Sequence, residues 1–240
     1  MRLAVFGASG RMGQAVVRLA EVAGHDVVFR ATAETENLHA FATTQAEVAI
    51  DFSHASAFVP VARACAAAKV PLVSGTTGFG AEGEAVLEEV AAAIPVLWEP
   101  NMSVGVFVLS ALVREAAARL GSTFDIEIVE AHHKHKLDAP SGTALRLAES
   151  ARVSRPELVA TYGRHGSKAA REPNELGIHA VRGGSVVGDH TVGFHGDSER
   201  LELAHRAESR DVFASGALRA ASWLCGRAAG RYGLADVLAI

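Results

Sequence analysis

Apolar and polar positions change rhythm along this chain, and the changes mark out its organisation. Residues 3–6 form a short, wholly apolar run that ends in glycines. Residues 11–23 follow with Met12, Val16, Leu19, Ala20 and Ala23 at the spacing of a core-facing helix, and Gly24 stands at the stop position. Strand-like residues 26–31 and 48–52, helical 56–68, strand-like 70–74, helical 81–93 and strand-like 95–98 continue the alternation. Short apolar strands separated by helices predict a parallel sheet covered on both faces.

Past that point the pattern differs. Residues 104–120 read as a helix stopped by Gly121, and residues 124–128 alternate with the period of a half-exposed strand. Residues 176–182, 185–195 and 199–206 are strand-like with no helix between them; in the last, Leu201 and Leu203 face one way and Glu202 and Arg206 the other. Such strands predict an open mixed or antiparallel sheet. Residues 212–232 read as helical again, and the polar, Arg- and Gly-rich residues 151–175 as a long loop. The expectation is an α/β protein of two domains. A Rossmann-type doubly wound parallel sheet is drawn from residues 1–102 and 212–240, the last helix returning to the first domain. A smaller α+β substrate domain with a mixed sheet takes residues 103–211.

Composition narrows the function classes. At 240 residues, 49% hydrophobic and 21% charged, the chain has ordinary globular usage, which excludes disordered and fibrous classes. Two cysteines, Cys65 and Cys225, make neither a disulfide framework nor a metal site and read as small buried hydrophobes. A net charge of −4 argues against nucleic acid or an anionic membrane as partner. The N-terminal apolar run is broken by Gly7, Ser9, Gly10 and Arg11 before a signal peptide could form, and the uncharged stretch 102–113 is too short to span a bilayer. A cytoplasmic protein is expected. The 23 glycines and 11 histidines then carry the chemistry by where they cluster.

Gly7-Ala8-Ser9-Gly10-Arg11-Met12-Gly13 lies between the first strand and the first helix, the context in which a glycine-rich turn receives a dinucleotide. Gly7 permits the tight turn, Gly10 the approach of backbone N–H groups to the pyrophosphate, and Gly13 close packing of helix on strand, while the helix start contributes partial positive charge. Read without the rest of the chain, the same glycines would serve a plain βα turn. Glu34 falls 21 residues after Gly13, where an acid binds the ribose hydroxyls, although a solvated surface acid would look the same. Thr35 follows with no Arg or Lys close behind, which leans towards NADH over NADPH, with Arg11 and Arg30 as the opposing consideration.

Glu130-Ala131-His132-His133-Lys134-His135-Lys136-Leu137-Asp138-Ala139-Pro140-Ser141-Gly142-Thr143-Ala144 runs from a strand to a helix start. Cations and imidazoles beside a helix N-terminus suit an anion, and Gly142 and Thr143 offer backbone N–H groups and a hydroxyl to a carboxylate. Histidine and a lysine crowded by positive charge are natural proton donors near neutral pH. The competing readings are a metal site, which the spacing of His132, His133 and His135 does not favour, and a merely solvated basic loop. His135 reads as a bystander, and His25, His39, His54 and the histidines of the last strands carry no functional signal.

With these residues in order, the sequence resembles the bacterial dihydrodipicolinate reductases. The 130–144 segment looks like their signature. It is joined by the glycine turn, Ile50-Asp51-Phe52-Ser53, Gly75-Thr76-Thr77-Gly78-Phe79, Pro100-Asn101-Met102-Ser103-Val104-Gly105-Val106 and Asp236-Val237-Leu238, so the resemblance spans essentially the whole chain. It implies NAD(P)H-dependent reduction of 4-hydroxy-tetrahydrodipicolinate to tetrahydrodipicolinate in lysine and diaminopimelate biosynthesis, by a homotetramer assembled through the mixed sheets, without a metal. It further implies His132 as acid/base and Lys136 as proton donor. His133, Ser141, Gly142 and Thr143 would bind a carboxylate of a small cyclic dicarboxylate held between the domains. The α/β pattern ends at Asn101 to Ser103, which makes that stretch the expected hinge. Gly7, Ala8, Ser9, Gly10, Arg11, Met12, Gly75, Thr76, Thr77, Glu99, Pro100, Asn101 and Met102 would contact the cofactor, Glu99 through its backbone. The chain departs from the pattern in a short loop between Glu34 and Val48, and in Thr35, where many members carry an arginine for NADPH. Other readings are a different two-domain amino-acid or semialdehyde dehydrogenase, active on aspartate or homoserine derivatives; a non-catalytic NAD-sensing module, binding NADH without reducing a dicarboxylate; and a metal hydrolase.

Overall fold

A computed structural model describes residues 1–32 and 38–239. Glu34 and Thr35 lie outside the described residues. Contacts divide the chain into two compact units, Met1–Val104 with Arg210–Ile240, and Gly105–Ser209.

The first unit runs β1 (Arg2–Phe6), α1 (Arg11–Val22), β2 (Asp26–Ala31), α2 (Leu38–Phe41), β3 (Val48–Asp51), α3 (Ala55–Ala68), β4 (Leu72–Ser74), α4 (Gly80–Ala91) and β5 (Pro95–Trp98). These strands are parallel and lie in the order β5-β4-β3-β1-β2. Because both faces are covered, the strands are apolar throughout: Ala4 and Phe6 enter a core with Phe58, Leu72, Leu87 and Val96, while Leu3 and Val5, equally buried, point the other way. The chain leaves β1 for β2 on one side and returns to β3 on the other. The β1/β3 border is thus the switch point where open α/β sheets bind ligands.

The second unit contains α5 (Val104–Leu120), β6 (Asp125–His132), α6 (Gly142–Ser154), β7 (Val159–Tyr162), β8 (Glu175–Arg182), β9 (Gly188–His195) and β10 (Arg200–Ala207). Its sheet, ordered β10-β9-β6-β8-β7, is mixed: β6 pairs parallel with β8 and antiparallel with β9. One face carries Ile126, Ile128, Leu176, Ile178, Val192 and Phe194 into a core with α5 and α6. The opposite face exposes Val129, Val159 and Val181.

Three sequence expectations change here. Residues 151–175 are not one loop: α6 continues to Ser154, and β7 pairs parallel with β8. An edge strand that turns only Ala160 into the core leaves little hydrophobic signature. Residues 212–232 are not one helix: after α7 (Asp211–Leu224), Gly226 adopts a positive φ of 79°, β11 (Gly230–Tyr232) adds to the first sheet beside β5, and α8 (Leu234–Leu238) follows. A three-residue strand exists only through its partner, so no periodicity announces it. Finally, β6 runs past residue 128 to His132, so the first histidine of the cluster belongs to the sheet and not to the loop after it. The helix α7 packs on α1 within the first unit.

Candidate active site

In the first unit the glycine turn crosses the C-terminal end of β1. Gly7 has φ +74°, and a side-chain carbon there would lie 2.4 Å from the Phe52 carbonyl oxygen; at Gly13 it would lie 2.0 Å from that of Gly7. The backbone of the turn, the β3 end and the start of α1 are therefore in direct contact, which only glycine allows. Above them a cleft of about 560 Å³ is lined by Gly7, Ser9, Gly10, Thr32, Ser53 and His54 with apolar walls from Phe6, Leu38, Pro60 and Val61. It sits at the β1/β3 switch point and meets the start of α1, so its shape and polarity fit a dinucleotide whose diphosphate lies on that helix end.

Of the other residues expected to contact cofactor, Arg11 is exposed and Ala8 is buried. Gly75, Thr76 and Thr77 follow β4, and Glu99, Pro100, Asn101 and Met102 follow β5, at the same edge of the sheet. Thr76 is held by Ser53 and Trp98, its hydroxyl donating to the Ser53 carbonyl and its own carbonyl accepting from the indole N–H. The Glu99 side chain is buried and accepts from the Leu234 N–H at 3.3 Å, while its own N–H donates to the Ser74 carbonyl at 3.2 Å.

The second unit assembles the other cluster. His132 ends β6 with its Nδ1 2.6 Å from Glu130 Oε2. Glu130, wholly buried, also accepts two bonds from the Arg182 guanidinium at 2.8 and 2.7 Å and one from the Ser141 N–H at 2.9 Å. Burial alone would raise the Glu130 pKa; the bonds from Arg182, His132 and Ser141 outweigh it and hold the carboxyl below its ordinary value. Ser141 caps α6, its hydroxyl accepting from the Ala144 N–H, which places Gly142 and Thr143 in the first turn where N–H groups point along the axis. Lys136 forms an ion pair with Asp138 at 2.8 Å, and this lysine holds the Asp138 carboxyl below its usual range. His133 is half-buried and His135 exposed. Among the described residues, no group of three or more His, Cys, Asp or Glu is arranged to hold a metal, and no helix is long and apolar enough to cross a membrane.

Three further residues to which the sequence assigns no role join this cluster: Glu130, Arg182 and His190. Glu130 stands inside the signature, two residues from His132, a spacing that puts both on one face of a strand. Arg182 is 52 residues from Glu130 and becomes its neighbour only through the parallel β6–β8 pairing. His190 is opposite Glu130 on β9, with Nε2 3.0 Å from the Ser141 hydroxyl.

Burial, with His132 adding to it, pushes the His190 pKa from 6.5 to about 4. Below pH 6.5 the unfolded chain therefore takes up a proton here that the folded chain refuses until about pH 4. Stability falls as pH falls through that window and levels off below it, by roughly 3 kcal/mol at about 1.4 kcal/mol per pKa unit. The depressed Glu130 carboxyl acts in the same direction, losing its contribution as pH falls below its unfolded value of 4.5. Thermal unfolding from pH 7 to 4.5 is expected to show the decline in the unmodified protein and a flatter one in His190→Gln; equal slopes would exclude His190 as its source.

Gly188 on β9 keeps the other side of His132 open, because a side-chain carbon there would lie 3.0 Å from Nε2. The ring, tethered at Nδ1, cannot retreat without lengthening that bond. Gly188→Ala is expected to lower kcat on the order of 10- to 100-fold with a normal fold by circular dichroism.

A nucleotide cleft on one unit and a buried carboxylate–imidazole pair beside a capped helix start on the other define the class: a two-unit, nicotinamide-dependent oxidoreductase. The chain belongs to the dihydrodipicolinate reductase family. The model of the family's N-terminus matches residues 1–102 and that of its C-terminus residues 105–238. It is 46% identical over 265 residues to the 4-hydroxy-tetrahydrodipicolinate reductase of Anaeromyxobacter dehalogenans (100% of this chain, 98% of the relative). To that of Akkermansia muciniphila it is 46% identical over 239 residues (98% and 97%). The fold resembles a dipicolinate-bound dihydrodipicolinate reductase from Paenisporosarcina sp. TG-14, with a TM-score of 0.76 at 23% identity and 97% of each chain covered.

Proposed function

We propose that this protein reduces 4-hydroxy-tetrahydrodipicolinate to tetrahydrodipicolinate in lysine and diaminopimelate biosynthesis, with NADH as its preferred cofactor. Membership of the family carries the reaction, and the His132–Glu130 pair beside the capped α6 start carries its assignment to particular residues. Bound NAD(P)H supplies the hydride. The chain's own residues supply the rest. Gly142 and Thr143, in the first turn of α6, accept one substrate carboxylate, with His133 and Lys136 as the nearby positive or polar groups. Loss of the 4-hydroxyl as water gives the ring a conjugated C=C–C=N system; hydride addition at its far carbon, C4, then leaves an enamine-like anion that is protonated on the neighbouring carbon. Lys136 donates that proton and His132 polarises or relays. Gly7 to Met12 carry the diphosphate, and Gly75–Thr77 and the backbone of Glu99–Met102 position the nicotinamide. Preference for NADH rests on the absence of a cation at Thr35.

The assay follows absorbance loss of NADH and NADPH with freshly generated substrate. Saturable oxidation of NADH at the lower KM is expected; oxidation of neither overturns the reaction, and a lower KM for NADPH overturns the preference. The open sheet face, with Val129, Val159 and Val181 exposed, supports assembly as a homotetramer, read out by light scattering on the eluted protein.

A further inference from the structure

In the second unit the wholly buried Glu130 and its partly buried partner Arg182 connect His132, the α6 cap and Asp138. The Glu130 carboxylate accepts from the His132 ring and from the N–H of Ser141, the residue that caps α6. Its partner Arg182 reaches further, donating to the Asp138 carbonyl at 2.6 Å, and Asp138 holds Lys136. The guanidinium uses its two terminal nitrogens for this, while its Nε is buried without a partner. A polar group left unsatisfied in a core is costly, so the arrangement gives up one arginine bond to keep both others on the carboxylate.

We propose that Glu130 is a positioning residue of the reaction: it fixes His132 in its Nδ1–H form and locks that ring to the helix start that receives the substrate carboxylate. The proposal rests on the reading of His132 as a proton-handling residue. An ionised carboxylate only accepts hydrogen bonds, so the ring nitrogen 2.6 Å from it must carry the proton. When the ring is neutral, its lone pair lies at Nε2, on the side that Gly188 leaves open. Arg182 balances the buried charge, which lets one carboxylate serve His132 and Ser141 together. A carboxamide could not do this. All four groups around Glu130 point hydrogens at it, and the NH₂ of a glutamine would meet one of them donor to donor or force His132 into the opposite tautomer.

The deciding measurement is ¹⁵N NMR of the histidine rings in the intact protein at a pH where His132 is neutral, paired with kinetics of Glu130→Gln and Glu130→Asp. In the unmodified protein His132 is expected to be protonated on Nδ1. Glu130→Gln is expected to lower kcat on the order of 100-fold with NADH affinity unchanged, to shift His132 towards its Nε2–H form, and to be partly rescued by Glu130→Asp. An Nε2–H tautomer in the unmodified protein overturns the proposal, as does an unchanged kcat in Glu130→Gln. The NMR measurement needs no variant to fold. The two readings fail separately: an unmodified protein that reduces no dicarboxylate refutes the reaction, whereas an Nε2–H His132 or an unchanged kcat in Glu130→Gln, in a protein that does reduce it, refutes only the positioning role.

Discussion

His132→Ala and Lys136→Ala are each expected to lower kcat on the order of 10²- to 10⁴-fold, the range that a positioned acid or base contributes, while leaving NADH affinity unchanged. The two residues belong to the second unit and the nucleotide cleft to the first, so hydride supply and proton supply are separable by mutation. His132→Ala removes the ring yet leaves Glu130 paired to Arg182 and Ser141, so the buried carboxylate keeps partners and the unit keeps its fold. Lys136→Ala frees Asp138, an exposed carboxylate that water can solvate. Both variants should therefore remain folded by circular dichroism and bind NADH by fluorescence. If both retain full turnover, the proton chemistry does not reside here. Combining them should cost less than the product of the single losses, because residues acting on one proton transfer are not independent.

Gly13→Ala is expected to abolish cofactor binding and to destabilise the protein by roughly 1–3 kcal/mol or more. The added carbon would stand 2.0 Å from the Gly7 oxygen, 2.6 Å from the Gly7 carbonyl carbon and 2.7 Å from the Ala8 Cα, all backbone atoms that no rotamer change can move. Relief requires α1 to lift from the turn, which widens the nucleotide cleft at the point where the diphosphate would lie. Gly10→Ala is the graded comparison: its carbon would meet the Gly7 oxygen at 3.2 Å, a contact that a small shift absorbs. Thermal unfolding and NADH titration of the two variants should rank Gly13→Ala as far the more damaging. Equal effects would show that close packing of the helix on the turn is not what glycine serves there.

How much of this was readable beforehand differs from one element to the next. The strands β1, β3, β4 and β5 announce themselves because a parallel sheet covered on both sides needs unbroken apolar runs. β7 and β11 do not: one turns a single alanine to the core and the other has three residues, so each is a strand because of what it pairs with. The same division runs through the site. His132, Lys136, Gly142 and Thr143 stand within a dozen residues of each other and are legible as a segment. Arg182 and His190 reach that segment only when β8 and β9 flank β6, and nothing near them in the chain marks them.

Local chemistry follows from the order of residues: where the chain may turn sharply, which runs must be buried, and which short segment gathers imidazoles, a lysine and a helix start. These depend on neighbours a few residues apart, through backbone sterics and hydrophobic period. That a buried glutamate stands between His132 and Ser141, with an arginine 52 residues away balancing its charge, emerges only when the strands pair. Burying a carboxylate is favourable only if enough hydrogen-bond donors converge on it, and here they come from two strands and a helix cap brought together by sheet register.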